Sequence, residues 1–256
     1  MSAAHPPSSP RTRIKICGLT RGEDVEAAAQ AGADAIGLVL YPKSPRAVTV
    51  QRAAELAALL PPYVTPVLLL VNETAEAVQQ ACQAVPNAVL QFHGDETPDQ
   101  CVALAQGRPW IRAARVPLDR STPFDLVNFA ALHQGAQALL VDAHVDGYGG
   151  GGKAFDWSRL PPSVNAHLVL SGGLTPANVI DGIVQVRPRC RSLAVDVSSG
   201  VERAKGVKDP DKIHQFVAAV RAADALLARS PQCPPISSLM PPAISAPMAA
   251  ASSARR

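Results

Sequence analysis

Two short apolar runs each end in a side chain that can carry a proton. Arg13-Ile-Lys-Ile-Cys17 ends in a thiol, and Leu139-Leu-Val-Asp142 ends in a carboxyl. Such runs read as buried strands. A reactive group at the C-terminal end of one, followed by glycines, reads as a site at the mouth of an α/β sheet or barrel. A thiolate and a carboxyl across one mouth can divide a proton transfer between them. The thiol would need a depressed pKa, which Lys15 or a nearby helix N-terminus could supply. The carboxyl would need a raised one to donate near neutral pH. Each residue also has an ordinary reading: Cys17 as a small buried hydrophobe, and Asp142 as a turn cap with Gly149 to Gly152 as a slack linker.

Two further strand ends suit an oxyanion. Ser171-Gly172-Gly173 and Ser198-Ser199-Gly200 follow the seventh and eighth apolar runs. Glycines let backbone N–H groups approach closely, serines add hydroxyl donors, and a following helix N-terminus adds partial positive charge. Barrels often place a phosphate in this pair of loops, although each alone could be a plain strand-to-helix turn. His93, Arg112 and Asp196 also sit near strand ends, where alternation predicts that they point inward. His93 could serve only to orient a loop, and Asp196 could hold the Ser198 loop through hydrogen bonds.

The elements that must position these groups follow from hydrophobic period and punctuation. Strands are predicted at 13–17, 35–40, 66–71, 88–92, 110–116, 138–142, 167–170 and 193–196. Helices are predicted over 22–31, with Thr20 as cap and Gly32 as stop, and over 50–60, 74–84, from Thr97-Pro98, 123–133, 175–186 and 210–227. In the first strand Ile14 and Ile16 share one face, so Lys15 and Cys17 share the other and face the barrel interior. Read as eight strand–helix units, the chain predicts parallel strands and the α/β fold class, as a single (β/α)₈ TIM barrel over residues 12–228. A doubly wound open sheet is the runner-up, but no GxGxxG follows the first strand. Residues 1–11 and 229–256 are rich in Pro, Ala and Ser and read as disordered N- and C-terminal extensions.

Composition narrows the function classes. The 256 residues are 47% hydrophobic, enough for one substantial core, and the net charge of +3 is too small to argue for nucleic acid. The five cysteines are odd in number and include no CxxC pair, which argues against a disulfide framework or zinc site and for a reducing compartment. The N-terminus lacks the apolar core of a secretory signal. No run approaches the roughly 18 apolar residues of a membrane span.

Several motifs together resemble the phosphoribosylanthranilate isomerase family. They are Lys15-Ile-Cys-Gly-Leu-Thr20, Tyr41-Pro-Lys-Ser-Pro-Arg46, Leu90-Gln-Phe-His-Gly94, Leu140-Val-Asp142 with Tyr148-Gly-Gly, Gly152-Lys-Ala-Phe-Asp-Trp157, Leu170-Ser-Gly-Gly-Leu174 and Ala194-Val-Asp-Val-Ser-Ser-Gly-Val-Glu202. They fall in the right order between about Arg13 and Ala223. The resemblance implies an Amadori rearrangement of N-(5-phosphoribosyl)anthranilate in tryptophan biosynthesis. It implies Cys17 as the general base at the sugar C2 and Asp142 as the general acid at the ring oxygen. Arg46 would pair with the anthranilate carboxylate. Gly172, Gly173, Ser198, Ser199 and Gly200 would hold the phosphate, with His93 and Asp196 also facing the substrate. The glycines after Asp142 would form a mobile cover. No cofactor or metal is implied. The expected partner is a phosphorylated small molecule, not nucleic acid or membrane, bound by a cytoplasmic chain that is a monomer rather than a homodimer. Segments 143–147 and 187–191 are less familiar for the family. Other phosphosugar barrels, or a catalytically silent barrel acting as an interaction module, are the competing readings. An indole-glycerol-phosphate synthase should carry catalytic lysines and a glutamate at strand ends, and a ribulose-phosphate epimerase a metal site.

Overall fold

The computed structural model describes residues 11–119, 121–122, 124–144 and 156–229. Both predicted disordered extensions beyond those bounds, the Gly149–Gly152 loop with its neighbouring Tyr148 and Gly152–Phe155 motif residues, and Cys233 lie outside the described residues.

Eight parallel strands close into a barrel in sequence order. They are β1 (Arg13–Cys17), β2 (Ala35–Val39), β3 (Thr65–Leu70), β4 (Val89–Phe92), β5 (Trp110–Pro117), β6 (Ala138–His144), β7 (Val164–Leu170) and β8 (Cys190–Val197). Closure comes from β1 against β8, with Lys15 opposite Asp196. The helices are α1 (Gly22–Ala31), α2 (Val50–Ala57), α3 (Ala75–Ala84), α4 (Pro98–Ala105), α5 (Leu126–Leu132), α6 (Val179–Val186) and α7 (Pro210–Arg229).

The helix starts show why the chain turns where it does. Thr49, Thr74 and Thr97 each accept the backbone N–H of the third residue of the following helix, and Thr97 with Gln100 completes a capping box around Pro98. Gly32 takes φ +94° and closes α1. Thr20 does not cap α1. Its hydroxyl donates to the Gly206 carbonyl instead, and Arg21 occupies the cap position with its side chain bonded to Asp24 rather than capping the helix.

Three other expectations change. Between β6 and β7 the described residues contain a 3₁₀ turn, Trp157–Arg159, where the strand–helix repeat called for a helix. Helix α6 begins at Val179, because Asn178 folds back to accept from Thr175 N–H and donate to the Gly173 carbonyl. After β8 comes a 3₁₀ turn, Ser199–Val201, and then an antiparallel hairpin, β9 (Glu202–Ala204) with β10 (Val207–Lys208), which the sequence pattern does not announce.

The core divides in two. Ile14, Ile16, Leu38, Leu68, Leu70, Leu90 and Phe92 pack outward under the helices in one large apolar layer. The barrel interior holds two small clusters, Cys17 with Val39, Leu69 and Val71, and Ala113 with Leu140 and Val169. The predicted alternation in β1 therefore holds, isoleucines outward and Lys15 and Cys17 inward.

Candidate active site

Cys17 ends β1 and is buried. Space for its sulfur and for the Lys15 ammonium exists because β2 presents Gly37 beside them. A Cβ there would stand 2.6 Å from the Cys17 Sγ and 3.0 Å from the Lys15 Nζ. Lys15 donates to Asp196 at 2.8 Å inside the barrel. The second Asp196 oxygen accepts from the Ser171 hydroxyl at 3.1 Å. Asp196 thus ties β1 to the start of the loop after β7, not to the Ser198 loop.

These charges act on the thiol in opposite directions. Burial pushes the Cys17 pKa up, the Lys15 cation pulls it down, and Asp196 pushes it up again, with a net rise. The sequence argument that Lys15 would depress the thiol below its ordinary value is therefore corrected, since the desolvation of the sulfur outweighs one cation. Burial also opposes the Lys15 charge, but Asp196 and Cys17 overcome it and hold Lys15 above the ordinary lysine value.

Asp142, inward-facing near the end of β6, has a different setting. Its Oδ1 accepts from the Ala143 N–H at 2.9 Å, and its Oδ2 lies 3.3 Å from His93 Nε2, close but not aligned as a hydrogen bond. Two residues earlier on β4, the Gln91 amide nitrogen stands 3.0 Å from His93 Nδ1. With that amide donating, Nδ1 accepts and the ring hydrogen sits on Nε2, facing the carboxylate. Among the described residues no lysine or arginine pairs with Asp142. Gly172, at φ +79°, passes against the same carboxyl: a Cβ there would come 2.7 Å from Asp142 Oδ1 and 2.8 Å from the Ala143 nitrogen. No other residue type fits both the φ and that approach.

The two serine–glycine turns lie at the same rim, Ser171 buried and the others half-buried, and pack on one another, for Gly200 runs against the Leu174 carbonyl too closely for any side chain. Gly173 takes φ +64°. Arg46, buried, spans from the loop after β2 to Glu202 on the hairpin through two parallel bonds of 2.7 and 2.8 Å. The hydrogen bonds that Arg46 donates to the Glu202 carboxylate hold the Arg46 pKa above its ordinary value. Lys208, fully buried on β10, donates to Glu202 at 2.9 Å, to the Ser198 carbonyl at 3.0 Å and to the Ser198 hydroxyl at 3.3 Å.

Among the residues singled out on sequence, Cys17, Arg46, His93, Asp142, Gly172, Gly173, Asp196, Ser198, Ser199 and Gly200 lie on the C-terminal strand ends and the loops that follow them. Arg112 does not join them. It points outward from β5, donates to the carbonyls of Phe92, Gly94 and Glu96, and sits over the Phe129 ring. The reason is register: Ile111 and Ala113 take the inward face, so the residue between them faces the helices. Sequence reasoning missed Gln91, Glu202, Lys208 and Gly37. Gln91 was legible, since it lies two residues before His93 on one strand face. Lys208 carried no signal, being brought back by a hairpin that no period marks. The described residues contain no metal-ligating cluster and no helix long and apolar enough to cross a membrane.

Comparison with known proteins agrees with this layout. The family model described as "PRAI: N-(5'phosphoribosyl)anthranilate (PRA) isomerase" matches residues 14–219. A relative from Leptothrix cholodnii, named N-(5'-phosphoribosyl)anthranilate isomerase, is 61% identical over 218 residues, covering 85% of this chain and 94% of its own length. The crystal structure of phosphoribosyl anthranilate isomerase from Thermotoga maritima superposes with a TM-score of 0.72 at 38% identity, over 82% of this chain and 99% of that one. A crystal structure of the isomerase in complex with reduced 1-(o-carboxyphenylamino)-1-deoxyribulose 5-phosphate gives a TM-score of 0.67 at 35% identity, over 82% and 99% of the two chains.

Proposed function

The chain belongs to the N-(5'-phosphoribosyl)anthranilate isomerase family, and from that premise we propose how its own residues divide the reaction. The protein is an isomerase of tryptophan biosynthesis. It converts N-(5-phosphoribosyl)anthranilate to 1-(2-carboxyphenylamino)-1-deoxyribulose 5-phosphate. The observation that carries the assignment of roles is the pairing of an inward thiol on β1 with an inward carboxyl on β6, both at the rim that carries the two serine–glycine turns.

Asp142 delivers a proton to the furanose ring oxygen. The bond from that oxygen to C1 breaks while the amine lone pair closes a C=N⁺ bond at C1. The Cys17 thiolate then takes the hydrogen from C2. The C–H electrons form C1=C2, the C=N⁺ electrons return to nitrogen, and the resulting enol gains a proton at C1 from solvent as its C2 hydroxyl releases one to solvent, giving the ketone. No oxidant enters and no atom is lost. A buried thiol is a poor base while it keeps its proton, so the charge of the intermediate matters. The C=N⁺ cation forms beside the sulfur and adds to the pull of Lys15, favouring the thiolate when it is needed.

Arg46 is proposed to meet the anthranilate carboxylate with guanidinium hydrogens not engaged by Glu202, a contact its planar fork suits. Gly172, Gly173, Ser198, Ser199 and Gly200 are assigned to the phosphate, and His93 is assigned to the substrate beside the Asp142 carboxyl. Asp196 acts on the substrate through Lys15 and Ser171, since both of its oxygens are engaged there. We propose a monomer as the working unit, and light scattering showing a stable dimer would reject it. Four free cysteines among the described residues fit a reducing, cytoplasmic setting.

Complementation of an isomerase-deficient tryptophan auxotroph tests the roles together. The wild-type chain should restore growth, and Cys17→Ser and Asp142→Asn chains expressed to equal levels should not. Growth on either variant would remove that residue from its role.

A further inference from the structure

The substrate presents anionic groups at its two ends, a carboxylate on the ring and a phosphate on the sugar. On the reading above, the first meets Arg46 and the second meets the loop containing Ser198. The structure joins these two residues by a continuous buried chain of charged contacts. Glu202 grips Arg46 through Nε and Nη2, and the same Glu202 carboxylate accepts from Lys208. The Lys208 ammonium continues to both the carbonyl and the hydroxyl of Ser198. At the far side, Gly18 is pinned between the two ends, since the space a Cβ would need there is taken by the Arg46 side chain and by Ser198 Oγ, 3.1 Å away.

The hairpin that carries Glu202 and Lys208 is itself held at several points. The Lys208 N–H donates to Asp24 on α1, Thr20 donates to the Gly206 carbonyl, and Lys212 on α7 donates to the Glu202 carbonyl. A fully buried lysine is costly to charge, and burial does lower the Lys208 pKa against the support of Glu202. Burial likewise opposes the Glu202 charge, but hydrogen bonds from Arg46 and Lys208 prevail and keep it below the ordinary carboxylate range. A buried ion triad of this kind is weak as a source of stability and strong as a fixer of geometry. Apolar residues could fill the same volume, but they could not transmit the position of a guanidinium to a phosphate loop.

We propose that Glu202 and Lys208 on the β9–β10 hairpin are positioning residues that couple the carboxylate-binding Arg46 to the phosphate-binding Ser198 loop, so that each end of the substrate helps to order the site for the other. The inference rests on the assignment of Arg46 to the carboxylate and of Ser198 to the phosphate. Neither Glu202 nor Lys208 needs to touch the substrate. A ligand with both anions spaced as in the true substrate engages both ends of the strut. A ligand lacking one anion leaves its end unfilled and loses more than that one contact.

The test compares kcat/KM for the substrate and for its anilide analogue, which lacks only the ring carboxylate. Their ratio measures recognition of that carboxylate. Lys208→Met, which contacts the phosphate loop and Glu202 but not Arg46, should lower the ratio at least about fivefold, within the usual range of coupling between sites. In the reverse direction, Glu202→Gln should weaken competitive inhibition by inorganic phosphate at least about threefold, although the Glu202 carboxylate bonds to Arg46 and Lys208 and only its backbone N–H, which the substitution keeps, meets the loop at the Ser199 carbonyl. A ratio unchanged in Lys208→Met, with both substrates slowed equally, would mark Lys208 as merely structural and overturn the coupling. An unchanged phosphate inhibition constant in Glu202→Gln would do the same. Should Lys208→Met fail to fold, Ser198→Ala severs the hydroxyl end of the strut without stranding a buried charge. It should lower the ratio at least about twofold, and an unchanged ratio there also overturns the coupling. Arg46→Ala is the reference. If it leaves the ratio untouched, the carboxylate assignment and the coupling fall together. If it abolishes the ratio while Lys208→Met does not change it, the coupling alone falls.

Discussion

The β1–β8 side of the barrel mouth and the β4–β6 side are built on opposite electrostatic plans. Around Cys17 the interior is charged: Lys15 and Asp196 form a buried pair, and Arg46 and Lys208 stand behind the same strand end. Around Asp142 stand a backbone N–H, a glycine and a histidine held by an uncharged amide, with Arg115 opposite it in the β5–β6 register and paired to Asp95. The contrast matches what each proposed role requires. A thiol must lose its proton in a buried place, and nearby cations are what make that possible. A carboxyl that is to give a proton must be kept away from cations, because they would strip the proton early. One strand end therefore holds a cation bonded beside its proton carrier, whereas at the other no lysine or arginine among the described residues bonds to the carboxyl, although Arg115 stands opposite it in the β5–β6 register.

Removing either proton carrier should break both plans at once. Cys17→Ser and Asp142→Asn should each lower kcat by at least about a hundredfold. Steady-state assay of the purified variants decides it, and near wild-type turnover in one would show that its side of the mouth is not chemical. Next in size come the glycines that make room for each group. Gly37→Ala intrudes on Cys17 and Lys15, and Gly172→Ala on Asp142. Each should lower kcat roughly tenfold or more, since displacements of about an ångström are costly in a positioned site. Should Gly172→Ala retain full activity, the carboxyl would not be held where we place it.

The pH profile separates the two sides more finely. Because burial holds the Cys17 thiol above its ordinary value, the free enzyme carries the thiol at neutral pH, and kcat/KM should climb with pH toward the thiol pKa. Lys15→Met removes a cation that lowers that pKa, so the climb should move to higher pH, with kcat at neutral pH down about tenfold. Gln91→Leu acts on the other side. It should free the His93 ring, lower kcat a few-fold, about the worth of one buried hydrogen bond, and leave the alkaline climb where it was. A shift of that climb in Gln91→Leu would mean that the two sides are not separate.

The smallest expected effect is on stability. Burial raises the Cys101 and Cys190 pKa values to about 11. A group that binds its proton more tightly when folded stabilises the fold below its unfolded pKa and loses that contribution as pH rises through the folded value. Melting temperature should therefore fall between about pH 9 and pH 11, and the fall should be shallower in the Cys101→Ala, Cys190→Ala double variant. An equal fall in both would assign it to other groups.

Much of this was legible in the residues themselves. The alternation of β1 placed Lys15 and Cys17 inward, and glycine and threonine punctuation marked the turns around the helices. The strand ends carrying Cys17, His93, Asp142 and Asp196 followed from period alone, because side-chain direction in a strand is a local property. Arg112 shows where that reasoning is fragile. A single step of register decides the face, and the apolar pattern around Ala113 and Ala114 does not specify the step.

What the sequence by itself determined is the inventory and the order: eight strands, their spacing, and which proton-carrying and anion-binding groups sit at their ends. Tertiary structure decided how those groups are charged and held. The Cys17 pKa rises because the closed barrel takes its sulfur out of water by more than Lys15 offsets. The partnership of Arg46 with Glu202, 156 residues away in the chain, and of Lys15 with Asp196, 181 residues away, exists only once β1 and β8 meet. Desolvation and long-range ion pairing depend on what surrounds a residue in space, and no local pattern of residue types records that.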